Sequence, residues 1–125
     1  MAGIAEVNII ITGCWGTIKY AKRSNGSMPA KKYIDDLKKI NKKEWLRLGA
    51  LLGYMAEEGR VINEQKFKKL RNEIWEFKSD KHRILCFRKG NSWILTNCYK
   101  KESKKTPKRE IDKSENIMAE HLGSY

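Results

Sequence analysis

Three strand-like stretches in the second half of the chain set acidic, basic and phenolic side chains at alternating positions. Glu73–Ser79 carries Glu76 and Lys78, His82–Arg88 opens with Arg83, and Ser92–Lys101 ends on Tyr99, Lys100 and Lys101. Successive side chains of a strand point to opposite faces. Glu76 and Lys78 therefore share one face, Trp75 and Phe77 the other, and Tyr99 shares a face with Lys101. With Arg83 on the strand between, these side chains can line one groove, with Lys104 and Lys105 at its rim. Such a groove suits cleavage of RNA by its own 2′-hydroxyl. That reaction needs a base for the hydroxyl proton, a role open to Glu76. It also needs donors for the charge that develops on phosphorus. Arg83 offers a planar fork for phosphate oxygens, and Lys78 or Lys101 can stabilise that charge or move a proton. Tyr99 can stack on a base or orient the phosphate. The reaction calls for no metal. The same pattern also describes a solvated sheet face whose lysines and glutamates make surface ion pairs, and spacing alone leaves both readings open.

The elements that must position this groove follow from the hydrophobic period. Residues 1–14 read as an N-terminal extension with a β-prone patch, Val7–Thr12, and Trp15–Ala21 alternates like a strand. Ser24-Asn25-Gly26-Ser27 is a turn. Pro29 suits the start of a helix, where its fixed φ fits and its missing N–H costs nothing. A helix is predicted over 30–41, with Tyr33, Ile34, Leu37 and Ile40 on one stripe. A second is predicted over 43–58, where Trp45, Leu48, Leu52 and Met55 recur at spacings of three and four. Gly59 is a natural stop, and the short join near Asn41 favours an antiparallel pair. The period then falls to two for the three strands above, joined by the hairpin-sized Asp80-Lys81 and Lys89-Gly90-Asn91. Thr106 as N-cap and Pro107 in the first turn open a last helix with Ile111, Met118 and Leu122 on its apolar side. The fold class is α+β: a small antiparallel sheet, a helical pair packed on one face and a C-terminal helix. One domain is expected over 15–122, with a tail at 123–125.

Composition agrees with a basic, single-domain protein. The chain has 125 residues, with 27 Lys and Arg against 15 Asp and Glu, a formal charge of +12. Hydrophobic residues make up 40%, enough for one modest core and too much for a disordered chain. A charge of this sign and size attracts polyanions, nucleic acid first among them. It is concentrated between Lys78 and Arg109, where Arg88, Lys100, Lys104 and Lys105 are candidates for docking on RNA backbone. No apolar run approaches the roughly 20 residues of a membrane span. Glu6 and Asn8 interrupt the start of the chain, so no signal peptide is expected and the expected place is the cytoplasm. Cys14, Cys86 and Cys98 form no CxxC and cannot all pair with one another. Cys86 and Cys98 lie in apolar stretches where a thiol acts as a small hydrophobe. Two histidines and scattered thiols build no metal cluster, and no cofactor is expected.

In this order, the stretches Glu73-Ile-Trp-Glu-Phe-Lys78, His82-Arg-Ile-Leu-Cys-Phe87 and Asn97-Cys-Tyr-Lys-Lys-Glu-Ser-Lys-Lys-Thr-Pro107 resemble the HigB branch of the RelE-like toxins, which includes the phage-derived Gp49-like proteins. That family has an "LWELR"-type strand, a "YRVFYF"-type strand and a strand ending "GFxKKTxKTP" before its last helix. "SNGSMPAKKYIDDL" resembles its entry to the first helix, so the likeness runs from about Trp15 to Leu122. The lysine-rich ending before Thr106-Pro107 is its most specific part.

The resemblance implies the toxin of a type II toxin–antitoxin pair that cuts messenger RNA on the ribosome without metal. It also implies a helix-turn-helix (HigA-like) antitoxin, in a hetero-oligomeric complex that binds operator DNA through the antitoxin. Arg83 matches the family's strand arginine at the scissile phosphate, Glu76 its "WEL" glutamate, and Lys78 a basic residue beside it. Tyr99 falls where Phe is common, and Lys100, Lys101, Lys104 and Lys105 match the terminal lysines. His82 stands where Tyr is usual. Relatives that use a C-terminal histidine or tyrosine point to His121 or Tyr125 as the proton donor, without a firm match. Two other readings stand beside the nuclease: a toxin of the same fold that inhibits DNA gyrase, as the related ParE group does, and a non-catalytic RNA-binding domain.

Overall fold

The computed structural model describes residues 9–123. Its elements are β1 (Ile9–Thr12), β2 (Thr17–Tyr20), α1 (Pro29–Ile40), α2 (Lys42–Glu58), β3 (Phe67–Arg71), β4 (Ile74–Ser79), β5 (His82–Lys89), β6 (Ser92–Lys100) and α3 (Lys108–Gly123). The strands form one six-stranded sheet in the order β1-β2-β6-β5-β4-β3. Every neighbouring pair is antiparallel except β2 with β6, which run parallel. The α+β class stands as expected.

Local chemistry sets the helix ends. Pro29 opens α1. Asn41 closes it, its N–H reaching Leu37 O at 2.8 Å, and its side-chain oxygen then caps α2 by accepting from the Glu44 N–H at 3.1 Å. Gly59 ends α2 in the left-handed conformation at φ 80°. No side chain fits there, because a Cβ would lie 2.5 Å from the Trp15 indole.

The sheet divides two cores. On one face α1 and α2 bury Ile34, Leu37, Leu48, Leu52 and Met55 against Ile18, Phe77, Ile84 and Leu95. Trp75 lies at the edge of this layer, stacked on Phe67 with ring centroids 4.9 Å apart. On the other face Ile117 of α3 covers Ile74, Leu85, Phe87 and Ile94. Each fully buried Leu or Ile contributes about 1.5–3 kcal/mol, so both layers are needed to order the sheet.

Four features differ from the sequence expectation. The sheet has β3 as an additional strand, hidden in the sequence by Lys68 and Lys69, charges that keep an exposed edge from pairing with another chain. Ile9–Thr12, read as part of an extension, forms edge strand β1; Val7 and Asn8 of the same patch lie outside the described residues. The face opposite the helical pair is not open: α3 packs across it. Salt bridges fix α3 there, Arg71 to Asp112 and to Glu115 at 2.6 Å near its start, and Arg23 to Glu120 near its end. Thr106 does not act as the expected cap. Its hydroxyl turns to Glu76, 2.9 Å from Oε2.

Candidate functional site

Two tight joins place the basic strand ends. Ser79 pairs with His82 and Lys89 with Ser92, leaving two-residue turns that begin at Asp80 (φ 54°) and Gly90 (φ 60°). A positive φ at that position suits the twist of a hairpin. Across β4, β5 and β6 the register then sets Lys78 opposite Arg83 and Arg83 opposite Tyr99. Three of the expected site residues therefore stand in one row on one face.

Tyr99 reaches that face through an irregularity. Leu85 pairs with Asn97 but Cys86 pairs with Leu95, so Thr96 is an extra residue in β6. Strict alternation from buried Trp93 and Leu95 would have sent Tyr99 toward the helical pair. The bulge reverses the phase. Thr96 is held in place by hydrogen bonds to Leu85 O at 3.0 Å and to the Ser114 hydroxyl of α3 at 2.5 Å.

Glu76 lies beneath this row and is 2% exposed. Its carboxyl accepts from the Tyr99 hydroxyl at 2.9 Å and from the Thr106 hydroxyl at 2.9 and 3.1 Å. Burial, with the Glu76 charge adding to it, pushes the Tyr99 phenol up to about 12, against the opposing pull of Thr106 and Arg83. Tyr99 is thus a neutral hydroxyl at physiological pH. Glu76 does not face solvent as sequence alternation suggested, because α3 and the segment leading into it cover it. Tyr99 is the half-buried group through which it meets the groove.

The cations of the row remain available. Arg83 donates to the carbonyl oxygens of Asp80 and His82, both at 2.9 Å, and Lys78 donates to Glu64 O at 3.2 Å. Among the described residues neither lies within salt-bridge distance of a carboxylate. Both also line a cleft of about 800 Å³ that wraps the β4–β5 hairpin and is bounded by Arg47 and Tyr54 of α2, Ile62 and Lys66. Those wall residues left no strand or motif signal in the sequence; only tertiary packing brings α2 and the 59–66 segment to the hairpin. Thr106 was visible in the sequence, but as a cap.

The remaining site residues divide. Lys101 follows β6 directly, its N–H bonded to Lys81 O at 2.7 Å. Lys100, the last residue of β6, and Lys101, Lys104 and Lys105 on the segment into α3 are all exposed. Arg88 stands apart: it lies at the far end of β5, with its guanidinium 5.1 Å from the Trp15 ring centroid and its Nε bonded to Gly90 O. It is five residues from Arg83, about 16 Å of strand, and has the opposite parity.

The histidines are not in the row. His121 accepts from the Lys22 N–H at 3.0 Å and meets Phe87 edge-on. That places it toward the other end of β5 from Arg83, and burial holds its imidazole below the usual range. His82 is buried between α1 and α2, bonded to the Tyr33 hydroxyl and to Glu44 Oε1, both at 2.7 Å. Tyr125 lies outside the described residues. The three cysteines are free, and burial raises the Cys86 thiol well above its ordinary value, so the packing role suits it. No helix among the described residues is long and apolar enough to cross a membrane.

A search of curated proteins found no match. The model of the family described as phage-derived protein Gp49-like (DUF891) matches residues 35–119, from the middle of α1 through most of α3. That span holds the whole row, Glu76, Thr106 and the cleft, and by it the chain belongs to the phage-derived Gp49-like family.

Proposed function

We propose that this protein is the toxin of a type II toxin–antitoxin pair and that it cuts messenger RNA on the ribosome by attack of the RNA's own 2′-hydroxyl. Membership in the Gp49-like family is consistent with a toxin of such a system. The observation that carries the nuclease reading is the Lys78–Arg83–Tyr99 row, with two cations that no carboxylate among the described residues engages, beside a phenol bonded to a buried carboxyl.

In this reading Arg83 holds the non-bridging oxygens of the scissile phosphate through its fork, and Lys78 adds charge where the pentavalent phosphorus develops it. The 2′-hydroxyl passes its proton to the Tyr99 oxygen as Tyr99 passes its own to Glu76. The new bond runs from the 2′-oxygen to phosphorus, and the bond to the 5′-oxygen breaks. Lys101 supplies the proton that the leaving oxygen needs. The products are a 2′,3′-cyclic phosphate and a 5′-hydroxyl. Lys100, Lys104 and Lys105 grip ribosomal RNA backbone, and a helix-turn-helix antitoxin holds the protein inactive.

The test is induction of the protein without the antitoxin, followed by mapping of RNA ends. Cuts at fixed codon positions in translated messages, with cyclic-phosphate termini that are lost in Arg83→Ala, are expected. Intact messages beside broken chromosomal DNA would overturn the nuclease reading in favour of a gyrase inhibitor.

A further inference from the structure

The cleft around the β4–β5 hairpin has a second wall that the phosphate chemistry does not use. On α2, Arg47, Leu51 and Tyr54 follow at spacings of four and three, one stripe beside the buried one. Tyr54 is 56% exposed, and Ile62, also lining the cleft, is 80% exposed. Single exposed apolar side chains are ordinary on a protein surface. These two are different in place: they line the same cleft as Lys66, Lys78 and Arg83. Asp80, the acidic residue of that lining, is held by Arg47 at 2.9 Å. An apolar partner would leave the cations desolvated and unpaired, and a phosphate alone would leave the Tyr54 ring without use. A nucleotide satisfies both, its phosphate on the cations and its base on the ring.

We propose that Tyr54 is a stacking platform for an unpaired base of the RNA strand whose phosphate Arg83 and Lys78 hold, with Ile62 closing on the other side of that base. This rests on the RNA reading above and adds a base-binding subsite to it. Stacking uses the π face that every base has, so the subsite selects single-stranded RNA over duplex and tolerates sequence.

The experiment measures anisotropy of labelled 2′-O-methyl hexanucleotides, which cannot be cleaved, with wild type, Tyr54→Phe and Tyr54→Ala. A base stacked on an aromatic ring is worth roughly 1–3 kcal/mol, so Tyr54→Ala should weaken binding roughly 5- to 150-fold. Tyr54→Phe should bind as wild type does. An abasic hexamer of the same charge should bind all three proteins equally. Equal affinity of wild type and Tyr54→Ala for the normal oligonucleotide would overturn the subsite, as would an equal loss on the abasic one, which would mean a site that reads charge or a protein partner. The parent reading fails separately: Arg83→Ala would then still cut messages on ribosomes, whatever Tyr54 does.

Discussion

Thr106→Val tests the arrangement at its least obvious point. Valine nearly matches threonine in shape, so the change removes a hydroxyl and little else. In the native protein that hydroxyl spans both oxygens of Glu76, at 2.9 and 3.1 Å, and the carboxyl is 2% exposed. Water is therefore poorly placed to replace the lost donor. A hydrogen bond to a charged group contributes about 1.5–3 kcal/mol, and a buried acceptor left short of partners carries that whole cost. Thr106→Val should lower unfolding stability in urea by about 1.5–3 kcal/mol at an unchanged m-value. Tyr99→Phe removes the other donor, at 2.9 Å, and should cost a similar amount. The two share one carboxyl, so the double variant should depart from additivity by more than about 0.5 kcal/mol. Thr106 also anchors the segment that carries Lys101, Lys104 and Lys105, so single-turnover cleavage by Thr106→Val should fall even with ribosomes saturating. A loss under about 0.5 kcal/mol, the range of an ordinary surface change, would refute the reasoning. Glu76 would then not depend on Thr106 in solution.

Arg83→Ala should abolish toxicity while changing stability by no more than about 1 kcal/mol, since its side-chain partners are two main-chain carbonyl oxygens at the hairpin end, those of Asp80 and His82, and not a carboxylate; Trp75→Ala, which empties a stacked ring position, should cost about 3–5 kcal/mol in the same unfolding assay. Replacing Lys104 and Lys105 with Ala should weaken ribosome association and flatten its salt dependence by about 0.7–0.9 in slope per lost phosphate contact. Lys101→Ala should instead lower the single-turnover rate at saturation, and a change in affinity alone would make it a docking residue. Glu120 is held down to about 2 from the ordinary 4.5 by its Arg23 partner and Ser24. A depressed carboxyl gives stability that is present above pH 4.5 and lost as pH falls toward 2. Acid unfolding of wild type across that window should thus be steeper than that of Glu120→Gln, and parallel curves would count against the pair.

Much of the fold was legible because local chemistry and hydrophobic period agree. Pro29, Asn41 and Gly59 mark helix ends by mechanism, and the aromatic alternation of β4 names its buried face. The sheet edges were harder: β3 carries the charges that protect an edge and so loses the apolar signature of a strand. For the candidate row, the sequence indicated which strand residues come together but not how they are arranged. Parity arguments place Glu76, Lys78 and Arg83 correctly on one face, but they carry no information on what covers that face, and α3 turns an expected surface carboxylate into a buried acceptor. Tyr99 is the instructive residue. Pairing it with Glu76 requires an extra residue at Thr96, and nothing in Ser92–Lys100 announces one, because the partners that hold the bulge include Leu85 on β5 and Ser114 on α3 as well as Asn97 beside it. The anchor at Ser114 makes α3 part of the groove's geometry although it contributes none of the row. A helix that buries Glu76, holds the bulge and carries the Asp112 and Glu115 ties to Arg71 can therefore tune Tyr99 from a distance. Ser114→Ala, which takes away one partner of Thr96 and leaves Tyr99 and Arg83 in sequence untouched, is the change that separates the strand's own preference from the helix's hold on it.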